Sequence, residues 1–583
     1  MTGTLASLGI VAVAAMPAAA QSSGGAGQVV VRATRVSGPM NVDGRLDESV
    51  YETVPPITEF VQQEPLYGAP VSERTEVWLL YDDSNIYVAC RCWHDDPDRI
   101  VANDMRRDGS RQTAHDNVTL TIDPFHDRRN GYLFGVTAAG GLRDGQITDE
   151  RPNMNWNGVF DGKATRFEQG WMAEIVIPFR TIRYSPASTD TWGIQIRRFM
   201  SGRNERAHLT EVSQGTGTGA VNYMSLAATL AGIETPPAAL NLDIKPYAIS
   251  SVTTDRVGRP PTRNDVTGDA GIDVKYGLSQ GMTADFTYNT DFAQVEADDA
   301  QVNLTRFNLS FPEKREFFLE GSGTFAFGSG AGGGGGNNNN DVPTIFYSRR
   351  IGLSGAREVP VIVGGRLTGK VGAWGIGVLN METDDEPVAN AEQTNFTVVR
   401  LRRDILRRSA VGAIYTRRSV STVSSGDNDV YGLDLNLGFY ENLYGSAYVA
   451  QSKTSNRGGD DLSYRGQLNY AGDRYGLALD HVVVQPNFNP EIGFLRRQNF
   501  KRSSVQARFS PRTAGNPLVR RWVYQGNIDY ITDNSDHLES REASGLFRTE
   551  FHNGDQAVVE HLRLYEFLPE PFEIADDVLI PTG

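Results

Sequence analysis

The chain has 583 residues, 71 acidic against 56 basic side chains, and a formal net charge of −15. Its mean hydropathy of −0.37 excludes a bundle of transmembrane helices, which needs several apolar runs of about 20 residues. The 39% hydrophobic content excludes a disordered chain, the acidic balance argues against nucleic acid as a partner, and a transmembrane β-barrel stays open because its alternating strands average out in hydropathy.

The first element is the stretch Leu5 to Ala20, LASLGIVAVAAMPAAA. A short apolar run closed by small residues reads as a secretory signal peptide over residues 1–20. Met1 to Thr4 carries no Lys or Arg, as though the start were internal to a longer leader. Residues 21–34 open Gly/Ser-rich and read as a flexible linker. The protein is therefore expected to be exported.

Residues 35–234 read as all-β. Period-2 runs at Glu76 to Leu80, Asn85 to Trp93, Asn117 to Asp123, Tyr132 to Thr137, Trp171 to Ile177 and Trp192 to Arg198 are separated by Asp/Asn/Gly/Pro turns. Regular short strands with turn signals predict a β-sandwich. Trp171 and Trp192 sit in alternating strands and are expected in the core. The two cysteines, Cys90 and Cys92, stand two apart on a strand and are poorly placed to pair; they read as buried hydrophobes.

Several blocks of this region resemble family 9 carbohydrate-binding modules: Val42-Asp43-Gly44-Arg45-Leu46-Asp47-Glu48, Val77 to Asp83 with Ile86 to Ala89, Asp116 to Phe125, Tyr132 to Gly140, Gly170 to Phe179, and Trp192 to Arg198. The resemblance implies a sandwich that binds polysaccharide or oligosaccharide, sometimes with structural Ca²⁺. Sugar rings stack on aromatic faces and their hydroxyls need planar polar partners. The carbohydrate-binding candidates are Trp156 in an Asn-rich loop, Trp93 beside an acidic turn, and Arg106, Arg143 and Asp144. After Arg198 no Trp precedes the closing strand, a departure from the family's stronger sugar binders, and the module reads as a degenerate binder or an interaction domain. Asp82, Asp83, Asp95 and Asp96 supply the oxygen density that Ca²⁺ prefers, without the spacing of a calcium loop. No other cofactor is indicated.

Residues 235–240, with Pro236-Pro237, read as the inter-domain linker. From 241 to 583 the strand-like runs lengthen. Ile272, Val274, Tyr276 and Leu278 alternate with Asp273, Lys275 and Gly277; Leu433, Leu435, Leu437 and Phe439 alternate with Asp434, Asn436 and Gly438; Tyr464, Leu468 and Tyr470 alternate with Ser463, Arg465, Gln467 and Asn469; Tyr524, Ile528 and Tyr530 alternate with Val523, Gln525, Asn527 and Asp529. An apolar face and a polar or glycine face, with Tyr at segment ends, predict an antiparallel outer-membrane-type β-barrel. No fixed-period repeat suggests a propeller. The chain stops at Leu579 to Gly583, where such strands end on an aromatic residue, so a truncated barrel is expected.

Asp291 to Asp298 and Phe311 to Gly321 resemble the DFxQVEAD and FPEKRxFFLEG signature of a bacterial β-barrel-like domain family of unknown function, in which a family 9 module precedes the barrel. Its dense opposed charges suit a salt-bridged lumen, a plug or a cleft. A glycosidase needs two carboxylates, one with a raised pKa; Glu296, Glu313 and Glu320 are the catalytic candidates. The GAGGGGGNNNN run at 330–340 reads as an external loop. There is no GxSxG or HExxH, and the eight histidines show no ligand spacing.

The first reading is an exported carbohydrate-binding protein anchored in the lipid bilayer of the bacterial outer membrane, for glycan capture or uptake. The alternatives are an O-glycosyl hydrolase of carbohydrate catabolism and an envelope structural or assembly protein with a degenerate sugar-binding module.

Overall fold

A computed structural model describes residues 29–184, 191–236, 242–255, 262–279, 281–289, 307–328, 341–354, 357–406, 408–440, 442–513, 515–568, 571–575 and 578–582. The predicted signal peptide, the residues of the DFxQVEAD piece and the Gly/Asn run lie outside them. The protein is all-β: a two-sheet sandwich followed by one long antiparallel sheet.

The predicted runs of the first region all form strands. Five strands, Asp161–Phe167, Gly170–Pro178, Asn85–Trp93, Thr75–Tyr81 and Thr34–Arg35, make one sheet; the other is built around Thr191–Met200, Asn117–Asp123, Gly131–Thr137 and Leu142–Thr148. Alternation puts Ile86, Val88, Cys90 and Cys92 into the core between the sheets, against Val118, Leu120, Ile122, Trp171 and Trp192. Both cysteines are free and buried.

The other face of the five-stranded sheet is also buried. Trp78, Leu80, Tyr87 and Ala89 are covered by Leu46 and Tyr51 from the N-terminal segment. That segment is fastened by Glu174, which accepts hydrogen bonds from the Gly44 N–H at 2.9 Å, the Asp43 N–H at 3.0 Å and the Tyr51 hydroxyl at 2.6 Å. Gly44 has φ +83°, and a Cβ there would meet the Lys163 backbone at 3.0 Å, so the turn needs glycine. The Asp-Gly block is thus the structural clasp of the sandwich.

The second half forms a 15-stranded antiparallel sheet from Leu242–Asp255 to Gln556–Glu566, with strands in sequence order. The outer strands do not pair with each other among the described residues, so the sheet is not closed there. Connections at one end are mostly tight, as between Val371 and Trp374 or Phe439 and Leu443; at the other end they are longer, as between Thr383 and Thr394 or Val484 and Phe500. The predicted alternation is observed: Leu433 is 59% exposed and Tyr431, Val449, Tyr464, Leu468, Tyr524 and Ile528 are exposed with it, while Asp434, Asn436 and Asn527 are buried on the inner face.

One connection is much longer than the rest. Between Met282–Tyr288 and Val361–Val371, which pair with each other, an insert folds back against the inner face. Its Phe317, Phe318, Phe325, Ile345 and Ile351 share a core with Val361, Met381, Phe396, Ile414, Val430, Val482, Phe500 and Ile531. Strands so far apart in the sheet touch one insert only because the sheet curls around it.

The sandwich docks on the short-turn end through charges. Arg129 donates to Asp149 at 2.7 Å and to Asp404 at 2.8 Å; Arg402 pairs with Asp149 from the other side. Lys370 joins Asp127 and Asp404, at 2.7 Å each, and Arg408 reaches Glu150 at 3.2 Å. Asp149 is only 7% exposed. Breaking a buried, paired charge costs about 3–5 kcal/mol because its partners are left uncompensated. Asp149→Ala is therefore expected to loosen the docking of the sandwich, read as faster limited proteolysis between the two domains with each still folded; cleavage at the wild-type rate would show that these charges do not hold the interface.

Candidate functional site

The sandwich uses the predicted sugar-binding residues for its own structure. Trp156 is 5% exposed, with its ring centroid 5.2 Å from Tyr132 and 6.2 Å from Phe134, so it is not the exposed stacking platform expected. The reason is Asp144, which is 0% exposed and accepts the Gly158 N–H at 2.6 Å and Arg107 at 2.7 Å, turning the Asn-rich loop inward. Burial raises the Asp144 carboxyl to about 6. Arg106 forks onto Asp104 at 2.9 and 2.7 Å. Arg143 is half-buried on the neighbouring strand. Trp93 has Arg74 over its ring at 5.2 Å and Phe167 edge-on at 5.1 Å, and donates to Glu76 at 3.3 Å. These residues do not form one open cleft.

The acidic turns do not meet either. Asp82 accepts the Ser84 and Asn85 N–H groups at 2.7 Å each and the Tyr87 hydroxyl at 2.8 Å. Asp83 pairs with Arg35, and Asp95 with Arg203 at 3.3 Å. The nine-residue strand Asn85–Trp93 separates Asp82 and Asp83 from Asp95 and Asp96 by roughly 30 Å. Among the described residues no three His, Cys, Asp or Glu side chains are grouped to hold a metal.

Of the carboxylates in the signature stretch, Glu296 lies outside the described residues. Glu313 accepts from Arg315 at 2.9 and 2.7 Å and from the Ser348 hydroxyl at 2.6 Å; these partners outweigh its burial and lower its pKa. Glu320 pairs with Lys275 and, at 3.1 Å, with Arg183 of the sandwich, and its pKa falls to about 2. A glycosidase acid needs the opposite shift. Glu313 and Glu320 are ties: Arg315 stacks over Phe318 at 4.2 Å and donates to the Ile351 and Ser348 carbonyls at 2.8 Å each, fixing the insert, while Glu320 joins it to both domains.

A large cavity lies where sequence spacing did not single one out. A chamber of about 1150 Å³ lies between the underside of the sandwich (Asn153, Asn155, Gln214 to Thr218, Tyr223), the insert (Phe311 to Glu313, Phe325 to Gly328, Tyr347) and the inner faces of the strands from Arg465 to Glu550. Strand alternation aims Gln467, Asn469, Gln506 and Asn527 into it, together with a set of arginines. Amides, hydroxyls and guanidinium planes beside Tyr and Phe rings suit a polyhydroxylated ligand with apolar ring faces. The alternation already marked Gln467, Asn469 and Asn527 as one polar face; only the fold brings them opposite residues more than 300 positions away.

A model of a family described as a domain of unknown function (DUF5916) matches residues 236–362. A search of curated proteins finds no match. Among solved structures, the chain is similar to a family 9 carbohydrate binding module from Caldicellulosiruptor kristjanssonii in complex with glucose (15% identity, 36% of this chain, 99% of that one, TM-score 0.25). It is also similar to OccK8 (OprE) from Pseudomonas aeruginosa (8% identity, 77% and 94%, TM-score 0.25) and to OccAB2 from Acinetobacter baumannii (7% identity, 77% and 92%, TM-score 0.25).

The low Glu320 pKa has a consequence for acid stability. A carboxyl whose folded pKa lies below its unfolded value stabilises the fold above the unfolded pKa, and that contribution is lost as pH falls through the folded one. Glu320, lowered from 4.5 to about 2, corresponds to about 3 kcal/mol. Acidification from pH 5 to 2 is expected to destabilise the wild type more than Glu320→Gln, followed by thermal unfolding; equal pH slopes would remove Glu320 from this role.

Proposed function

We propose that this chain is an exported, saccharide-binding protein of the bacterial outer membrane, its long sheet facing lipid and its sandwich on the periplasmic side. The observation that carries the reading is the two-faced sheet: an exposed apolar outer surface with Tyr431, Leu433, Val449, Leu468 and Ile528, and a polar chamber on the inside. An exposed apolar surface running across a whole sheet is costly in water and expected in lipid. Outer-membrane barrels keep short turns on the periplasmic side, and the sandwich sits at that end. Sugar binding is assigned to the chamber, because Trp156, Trp93, Arg106 and Asp144 within the sandwich already have protein partners.

The hydrolase reading has no support in Glu313 and Glu320, whose pKa values are lowered. The protein is expected in the outer-membrane fraction, resistant to extraction by salt and alkali and heat-modifiable in gel migration. Leu433→Arg, mid-strand on the outer face, is expected to cost about 2–4 kcal/mol in the bilayer and to lower the assembled fraction. Recovery in the soluble periplasm would overturn the membrane assignment. For the chamber, Gln467→Ala and Asn527→Ala are each expected to weaken oligosaccharide binding about fivefold, the worth of one hydrogen bond, in titrations of detergent-purified protein. Binding unchanged in both variants, or no binding to any sugar, would leave the structural-protein reading in its place.

A further inference from the structure

The chamber concentrates positive charge inside an acidic protein. Among the described residues eight arginines line it, against four carboxylates, Glu64, Glu313, Asp480 and Glu550, although the chain carries a net charge of −15. Most of these arginines are matched. Arg206 pairs with Glu64 at 2.6 Å, Arg465 with Asp480 at 2.6 Å, Arg502 with Asp529 at 2.5 Å, and Arg520 and Arg521 share Glu550 at 2.8 Å each. Glu313 is taken by Arg315, outside the chamber lining.

Three arginines remain. Arg151 stands on the short sandwich strand Arg151–Asn153, exposed to the chamber, and its side chain makes no hydrogen bond or ion pair among the described residues, Asp149 acting on it only through space. Arg548 has a buried Nε with no partner and no carboxylate within ion-pair distance among the described residues. Arg508 donates to the Asp473 carbonyl at 2.9 Å, to the Gly472 carbonyl and to Ser510, all neutral acceptors. Arg508 and Arg548 flank one strand of the inner face: Arg508 is opposite Gln525, and Arg548 is opposite Val523, two residues away on that strand.

A guanidinium does not discharge at any accessible pH. Guanidiniums held at the wall of a half-enclosed chamber with no ion-pair partner among the described residues carry a cost that an anion relieves. Their planar forks fit carboxylate oxygens in pairs, and the neighbouring amides fit hydroxyls. We infer that the chamber takes a carboxylate-bearing saccharide, a uronate oligomer, with Arg508 and Arg548 from the sheet and Arg151 from the sandwich as its anion-binding groups. This rests on the saccharide reading of the same chamber and goes beyond it in charge.

The test uses the full chain in detergent and three probes: trigalacturonate, its trimethyl ester, and the non-sugar tricarboxylate tricarballylate. Trigalacturonate is expected to bind about tenfold or more tightly than the ester at low salt, one or more charge-assisted fork contacts being lost with the charge. The difference should shrink as salt rises. Arg508→Gln and Arg548→Gln should erase most of the difference between acid and ester, and Arg548→Lys, which keeps the charge, should retain much of it; heat-modifiable migration reports folding of each variant. Equal binding of acid and ester overturns the charge inference and leaves the saccharide reading standing. Tricarballylate binding as well as trigalacturonate overturns the saccharide reading and with it the uronate proposal. No binding of any probe overturns both.

Discussion

The structure depends on how Asp149 is held. Arg129 approaches it from its own domain and Arg402 from the long sheet, and the lattice continues through Asp404, Lys370 and Asp127. The groups are mostly buried, so the attraction is little screened and a missing partner is severely felt. This lattice seats the sandwich across the short-turn end of the sheet. Without it the chamber loses the wall that Asn153, Arg206 and Tyr223 of the sandwich supply.

The curled sheet is divided along its strands. On Thr394–Leu406 the inward positions run Thr394, Phe396, Val398, then Arg400, Arg402 and Asp404. On Phe500–Phe509 they run Phe500, then Arg502, Ser504, Gln506 and Arg508. The apolar half packs on Phe317, Phe325 and Ile345 of the insert. The polar half faces the chamber and the sandwich. Arg400 marks the border: it forks onto Asp434 at 2.6 and 2.8 Å, donates to the Ala326 carbonyl at 3.0 Å, and lies over Phe327 at 5.4 Å. One arginine thus satisfies a buried carboxylate and caps the insert.

Most strands were legible because period-2 alternation is a local signal. Leu433 to Phe439 and Tyr464 to Tyr470 showed their outer faces in sequence, and the Cys90–Cys92 pair its inward face. The site was less legible. Trp156 sits among asparagines, and its polar neighbourhood suggested exposure, but the Gly158 N–H bond to Asp144 is a contact between separate strands and loops that composition does not encode. Asp82 and Asp83 looked like ligand oxygens, yet turn N–H groups use Asp82 and Arg35 uses Asp83. Glu313 and Glu320 stood out as acids; their role was fixed by Arg315, Lys275 and Arg183, the last two far away in sequence.

The same reasoning separates the chamber from the rest of the molecule. Elsewhere in the long sheet several buried arginines have a carboxylate of their own: Arg366 has Asp285 at 2.8 Å and Arg400 has Asp434. Sequences are locally consistent with their fold where only stability is at stake, and depart from consistency at sites of function. Arg151, Arg508 and Arg548 depart together, from a sandwich strand and two strands of the sheet, and all three line one cavity. A fold selected only for stability would gain by replacing them with neutral residues, as it already places Gln467 and Asn527 on the same polar surface. Their shared location is the joint between the two halves, a cavity that neither half forms alone.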